Sequence, residues 1–115
     1  RHVISYWRIQ PDPEKLSAGL AKGAAIDPDA DLNWQERGRE AVKAVCARTG
    51  INLAGFDLLF EETGIRPLFL EINYFFGRKG LGGSFSFYSL LCREIGCWLS
   101  RNGLETPEGE ADWTP

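Results

Sequence analysis

The chain has 115 residues, a formal net charge of -3 and 43% hydrophobic residues, enough for one domain with one modest core. This balance excludes a disordered chain, and without a Lys/Arg run it leaves no electrostatic footprint for nucleic acid. No apolar stretch approaches the roughly 20 residues of a membrane span, and residues 1–8 lack a signal-peptide layout, so no membrane and a cytoplasmic location are expected.

In chain order, residues 2–9 are rich in β-branched and aromatic types and predict a strand, which Pro11 and Pro13 end. Residues 10–31, with Gly19, Gly23 and Pro28, predict an irregular stretch with room for a short turn or strand. Then Trp34, Gly38, Ala41, Val42, Val45, Cys46 and Thr49 form one apolar stripe at helical spacing. Arg37, Arg39, Glu40, Lys43 and Arg48 take the other face. Asn33 with Glu36 fits a capping box, and Gly50 fits the residue that ends the helix.

Residues 53–60 and 67–73 predict two strands joined by a short polar, glycine-containing connection, hence an antiparallel hairpin. A glycine-rich loop at 77–83 leads to a second helix over 86–101, with Phe87, Leu91, Ile95 and Trp98 or Leu99 on its buried stripe. Residues 1–103 make the domain, and 104–115 read as an acidic flexible tail. The expected fold is therefore α+β, an antiparallel sheet covered by two helices in the order strand–helix–strand–strand–helix. Cys46, Cys92 and Cys97 show no metal-site spacing and read as small, reduced core residues. His2 is the lone histidine, which leaves little for a zinc site.

The chemistry concentrates on the hairpin. Glu71 and Asn73, two apart on one strand, point the same way. A hairpin folded about Gly64 places Asp57 opposite Glu71, with no bulge required. Opposed carboxylates repel, and the surrounding Phe56, Leu58, Leu59, Phe60, Phe69, Leu70 and Ile72 predict that both faces are covered. A cation should therefore sit nearby. An all-oxygen set of Asp57, Glu71 and Asn73 suits Mg2+, or Mn2+ in its place, better than zinc. The other reading pairs Glu71 with Arg8 or Lys22 and makes Asp57 an ordinary strand carboxylate.

The run Gly55-Phe56-Asp57-Leu58-Leu59-Phe60, followed by Pro67-Leu68-Phe69-Leu70-Glu71-Ile72-Asn73, resembles the C-terminal part of ATP-grasp enzymes. These include glutathione synthetases, D-alanine–D-alanine ligases and ligases that add glutamate to ribosomal proteins. The resemblance implies that Asp57, Glu71 and Asn73 bind the metal ions on the phosphates of ATP. Tyr6-Trp7-Arg8-Ile9, followed by Gly19-Leu20-Ala21-Lys22-Gly23, resembles the family's Arg-bearing strand and loop, which assigns Arg8 to phosphate or the acyl-phosphate substrate, while Lys22 either supplies charge to the nucleotide or is a solvated lysine. Gly19 stands where the family usually carries Asn. The loop with Arg78, Lys79, Gly82 and Gly83 occupies the place of a turn beside the acceptor substrate. Its glycine N–H groups and the following helix could meet an anion, or simply turn the chain into that helix.

The family's activity joins a carboxylate to an amine or thiol through an acyl phosphate, at the expense of ATP. The similarity covers half of such a module. It therefore implies a fragment whose partner is the N-terminal half of the same domain, acting on a small-molecule or peptide carboxylate. The start on strand-like residues without Met points the same way. A non-catalytic α+β binding module that keeps the fold is the alternative. A nucleic-acid module is suggested by element order alone, and the charge and a pI of about 5.1 oppose it.

Overall fold

The computed structural model describes residues 2–15, 23–61, 63 and 66–104. It is α+β, with strands β1 (Trp7–Ile9), β2 (Ala25–Asp27), β3 (Gly55–Phe60) and β4 (Pro67–Asn73) and helices α1 (Leu32–Thr49) and α2 (Gly83–Arg101). The strands form two separate antiparallel pairs, β1 with β2 and β3 with β4, where a single sheet was expected. β2 supplies the short strand that the 10–31 stretch had room for. It also shortens the first strand: only Trp7, Arg8 and Ile9 find partners, opposite Asp27, Ile26 and Ala25. Of the residues before it, His2, Ser5 and Tyr6 make side-chain contacts instead.

α1 begins at Leu32, two residues before its apolar stripe starts. The Asp27 carboxylate accepts the N–H groups of Asp29 (2.9 Å) and Ala30 (3.0 Å), and this turn delivers Asp31 to the helix start. The Asp31 carbonyl then accepts from Trp34 and Gln35, so the expected Asn33–Glu36 capping box does not form. Glu36 is drawn to Arg39 instead. Gln35 anchors this corner. It is 4% exposed, donates to the carbonyls of Pro28 (2.9 Å) and Ala30 (2.7 Å), and accepts from the Ser5 hydroxyl (2.7 Å). Arg39, expected on the solvent face, reaches back to Ser5 Oγ (2.7 Å). At the other end Gly50, with φ 77°, donates its N–H to the Cys46 carbonyl, as its position predicts.

α1 packs on the hairpin through Gly38, where an added Cβ would stand 3.2 Å from Leu58 and 3.6 Å from Phe60. Beside it Trp34 stacks on Phe60 (5.4 Å), and Trp7 closes the cluster with 5.9 Å contacts to both rings. Such aromatic pairs contribute about 0.5–1.5 kcal/mol each beyond area burial. Among the described residues the buried hydrophobics are Ala24 and Val42, so the core is small and lies under α1.

α2 does not cover the sheet as expected. It starts at Gly83, after a single 3-10 turn at Lys79–Leu81, and none of its residues is buried. Phe87, Leu91 and Leu99 are half-buried, whereas Ile95 and Trp98 of the expected stripe are exposed. Cys92 and Cys97 are exposed and Cys46 is half-buried, all three as free thiols, so none is a core residue. The N-terminal segment ties this side together. His2 Nε2 lies 2.9 Å from Glu94 Oε1, and Tyr6 lies flush against Gly80, where a Cβ would overlap its ring. Leu104 donates to the Leu99 carbonyl (3.0 Å); the rest of the expected tail, like Gly19 and Lys22, lies outside the described residues. No described helix is long and apolar enough to cross a membrane.

Candidate functional site on the hairpin

β3 and β4 pair with Gly55 opposite Asn73 and Asp57 opposite Glu71, the expected register at the carboxylates. Beyond them it shifts: Leu58 meets Phe69, Leu59 meets Leu68 and Phe60 meets Pro67. Leu70 is therefore an extra residue on β4, a bulge that the bulge-free reading did not include. Gly64, the expected centre of the turn, lies outside the described residues. The bulge falls between the carboxylates and the turn, so it leaves the pairing of Asp57, Glu71 and Asn73 intact.

Opposed residues of an antiparallel pair share a face, and so do residues two apart. Asp57, Glu71 and Asn73 thus stand on one side of the hairpin, while Leu58 and Phe60 turn to α1 on the other. β1 repeats this division. Trp7 enters the aromatic cluster on the α1 side, and the next residue, Arg8, crosses to the carboxylates. Its Nη2 lies 2.6 Å from Asp57 Oδ2, with the two side chains 31% and 37% exposed. At that exposure the pair stabilises the fold by at most about 1 kcal/mol. Its larger effect is to set a cation against the opposed carboxylates, answering their repulsion.

Two expectations are corrected here. The carboxylates are not enclosed: Glu71 is exposed, and Leu59, Leu68, Phe69, Leu70 and Ile72 are exposed around them. The cost of burying two charges therefore does not by itself call for a metal. The carboxylate that Arg8 holds is Asp57, not Glu71. No described cation pairs with Glu71. Among the described residues no three His, Cys, Asp or Glu side chains cluster; the hairpin set is two carboxylates completed by the Asn73 amide. All three offer oxygen, and no described cation neutralises Glu71, a donor set that fits a hard divalent ion.

The glycine-rich loop is arranged differently from expectation. The N–H groups of Gly82 and Gly83 are bonded to the carbonyls of Lys79 (3.3 Å) and Arg78 (2.9 Å), so they shape the turn into α2 and do not converge on an anion. Lys79 is exposed. The Arg78 guanidinium lies over the rings of Phe87 (5.3 Å) and Tyr88 (4.7 Å), 3.4 Å from the Ser84 hydroxyl.

Arg78 borders a cleft of about 310 Å3 that sequence reasoning passed over, lined also by Leu53, Tyr74, Phe75, Phe76 and Phe87. The signal was the unbroken run Tyr74-Phe75-Phe76 directly after Asn73. Phe76 packs edge-on against Phe87 (5.8 Å), while Tyr74 and Phe75 are exposed. The cleft and the carboxylates share one end of the hairpin, since Gly55, the partner of Asn73, abuts Phe76: an added Cβ would fall 2.8 Å from the Phe76 Cβ. No protein-family model, curated protein or solved structure matches this chain.

Proposed function

We propose that this chain is the metal- and ATP-phosphate-binding half of an ATP-grasp ligase, which joins a carboxylate to an amine or thiol through an acyl phosphate. The observation that carries the reading is the pairing of Asp57 with Glu71, with Asn73 on the same face and Arg8 reaching onto it. In this reading Asp57, Glu71 and Asn73 hold Mg2+, or Mn2+, on the phosphates of ATP. The ion supplies neutralisation of the charge that builds up on phosphate oxygens.

The chain's own groups act by position and charge. Glu71, without a described cationic partner, is the open anionic ligand. Asp57 is shared with Arg8, whose guanidinium has five N–H donors and places one nitrogen on the carboxylate. Its other donors are available to a phosphate or acyl-phosphate oxygen, so Arg8 carries the catalytic role and the carboxylates are electrostatic anchors. Lys22 is a further phosphate contact in this proposal. The exposed Leu59 and Leu68, opposite one another on the carboxylate face, support a covering partner, which the reading assigns to the N-terminal half of the same domain. A cytoplasmic setting and a small-molecule or peptide carboxylate substrate belong to the same proposal.

The alternative is a binding module that keeps the fold without catalysis. It is favoured by the Arg8–Asp57 ion pair, which already neutralises one of the three ligands. Titrating the chain with Mg2+ and ADP while following amide shifts separates the two. Saturable shifts at residues 55–57 and 71–73, lost in Glu71→Ala with the fold retained, are expected of the ligase half. Unchanged shifts with Mg2+ and ADP together would sink it, as would a polypeptide carrying this chain that consumes ATP normally with Glu71→Ala.

A further inference from the structure

The cleft at the Asn73 end of the hairpin has a composition that selects its ligand. Five of its six lining residues are apolar or aromatic, and the sixth is Arg78. At about 310 Å3 it lies at the small end of ligand sites, which run from about 300 to 1,000 Å3. Rings left in water are costly, and Phe75 is 97% exposed and Tyr74 66% exposed on its border. These rings offer a surface for a flat or apolar body.

Arg78 sets the polar end. It makes no ion pair with any described carboxylate. Its guanidinium is held by two aromatic rings and one long contact to Ser84, which fixes its place while using little of its donor capacity. A planar fork of donors matches a carboxylate in two parallel hydrogen bonds. A phosphate dianion would call for more positive charge than one guanidinium, and Lys79 is not among the lining residues.

We infer that this cleft binds a small carboxylate with an aromatic or compact apolar body, its carboxylate on Arg78 and its body among Leu53, Tyr74, Phe76 and Phe87. That the bound carboxylate is the one activated by ATP rests on the ligase reading, to which it assigns an aryl or apolar acid as substrate class. The cleft begins one residue beyond Asn73, and Phe76 of its lining abuts Gly55, the partner of Asn73. As a binding site it stands on its own geometry.

The test is a titration of the chain with 3-phenylpropanoate, with 3-phenylpropan-1-ol and with acetate, followed by aromatic and arginine side-chain NMR signals. The expected result is saturable shifts of Tyr74, Phe76, Phe87 and Arg78 with the acid. Binding should be about tenfold or more weaker for the alcohol and for Arg78→Gln, the worth of one charge-assisted pair. Acetate should bind far more weakly than the acid. Equal binding of acid and alcohol, or no saturation with the acid into the millimolar range, overturns the inference. Because the ligand series uses the unaltered chain, it decides the matter even if Arg78→Gln does not fold. A parallel Mg2+ and ADP titration separates the two readings. Acid binding without nucleotide shifts at 55–57 and 71–73 removes the ligase reading and keeps the cleft. Nucleotide shifts without acid binding do the reverse.

Discussion

The two helices carry apolar stripes of similar regularity and meet opposite fates. α1 sets Gly38 against the hairpin, buries Val42, brings Trp34 onto Phe60, and is locked at its start by the buried Gln35. α2 buries nothing, and Phe85, Ile95 and Trp98 stand in water along it. Periodicity says which side of a helix is apolar; it does not say that anything faces it. Stability in this chain belongs to the α1 side, while the α2 side, with its open aromatics and Arg78, is the side left available for binding.

The largest expected effect breaks the α1 side. Trp34→Ala removes the centre of the three-ring cluster and should cost about 3 kcal/mol, read as a lower urea midpoint. Trp98→Ala, the same change at a position 57% exposed on α2, should stay within about 0.5 kcal/mol. Equal losses would mean that the two helices are equally packed and would erase the contrast.

Next comes the polar anchor of the same corner. Gln35→Leu keeps the volume but leaves the carbonyls of Pro28 and Ala30 and the Ser5 hydroxyl without their shared partner. The expected loss is about 1–3 kcal/mol, with amide exchange speeding up at residues 29–35 before the rest of α1. A variant as stable as the parent would show that this network only follows the packing of Trp34.

How much of this was legible depends on what kind of information each element needed. The opposition of Asp57 and Glu71 could be read because strand alternation and a short connection leave few registers. The Leu70 bulge could not, since an added apolar residue in an apolar strand leaves no mark on the pattern. The cap at Asp31 was hidden by a good competing signal, Asn33 with Glu36, and only the turn built on Asp27 decides between them. Gln35 was readable in principle, because it falls three and seven residues before Gly38 and Val42 on the buried stripe, but its polarity placed it outside the apolar count. The covered hairpin faces were an overreading: apolar composition gives the demand for burial, and the neighbours that meet it lie elsewhere. Arg8 shows the converse. The phosphate role proposed for it rests on a resemblance, but its place beside Asp57 follows from alternation along β1 once Trp7 is committed to the cluster.

The smallest effect expected sharpens the contrast through pH. Arg39 holds Glu36 below the ordinary glutamate range, first by their side-chain hydrogen bonds and then by its charge, with a further contribution from Lys43. A carboxyl depressed in the folded state stabilises that state fully above its ordinary pKa. As pH falls, the unfolded chain takes up the proton first, and the contribution fades until the folded carboxyl protonates as well. Glu36 is exposed, so the slope will be shallow. Glu36→Gln should flatten that part of the acid limb and leave the melting temperature at neutral pH close to that of the parent. The same variant separates Arg39's two partners. If Arg39 is held chiefly by Ser5, the Ser5–Arg39 contact persists in the glutamine variant and residue 35 keeps its exchange protection. If protection at residue 35 falls as Glu36 is protonated or replaced, the exposed ion pair is what steers Arg39 inward, and the α1 corner depends on a surface charge.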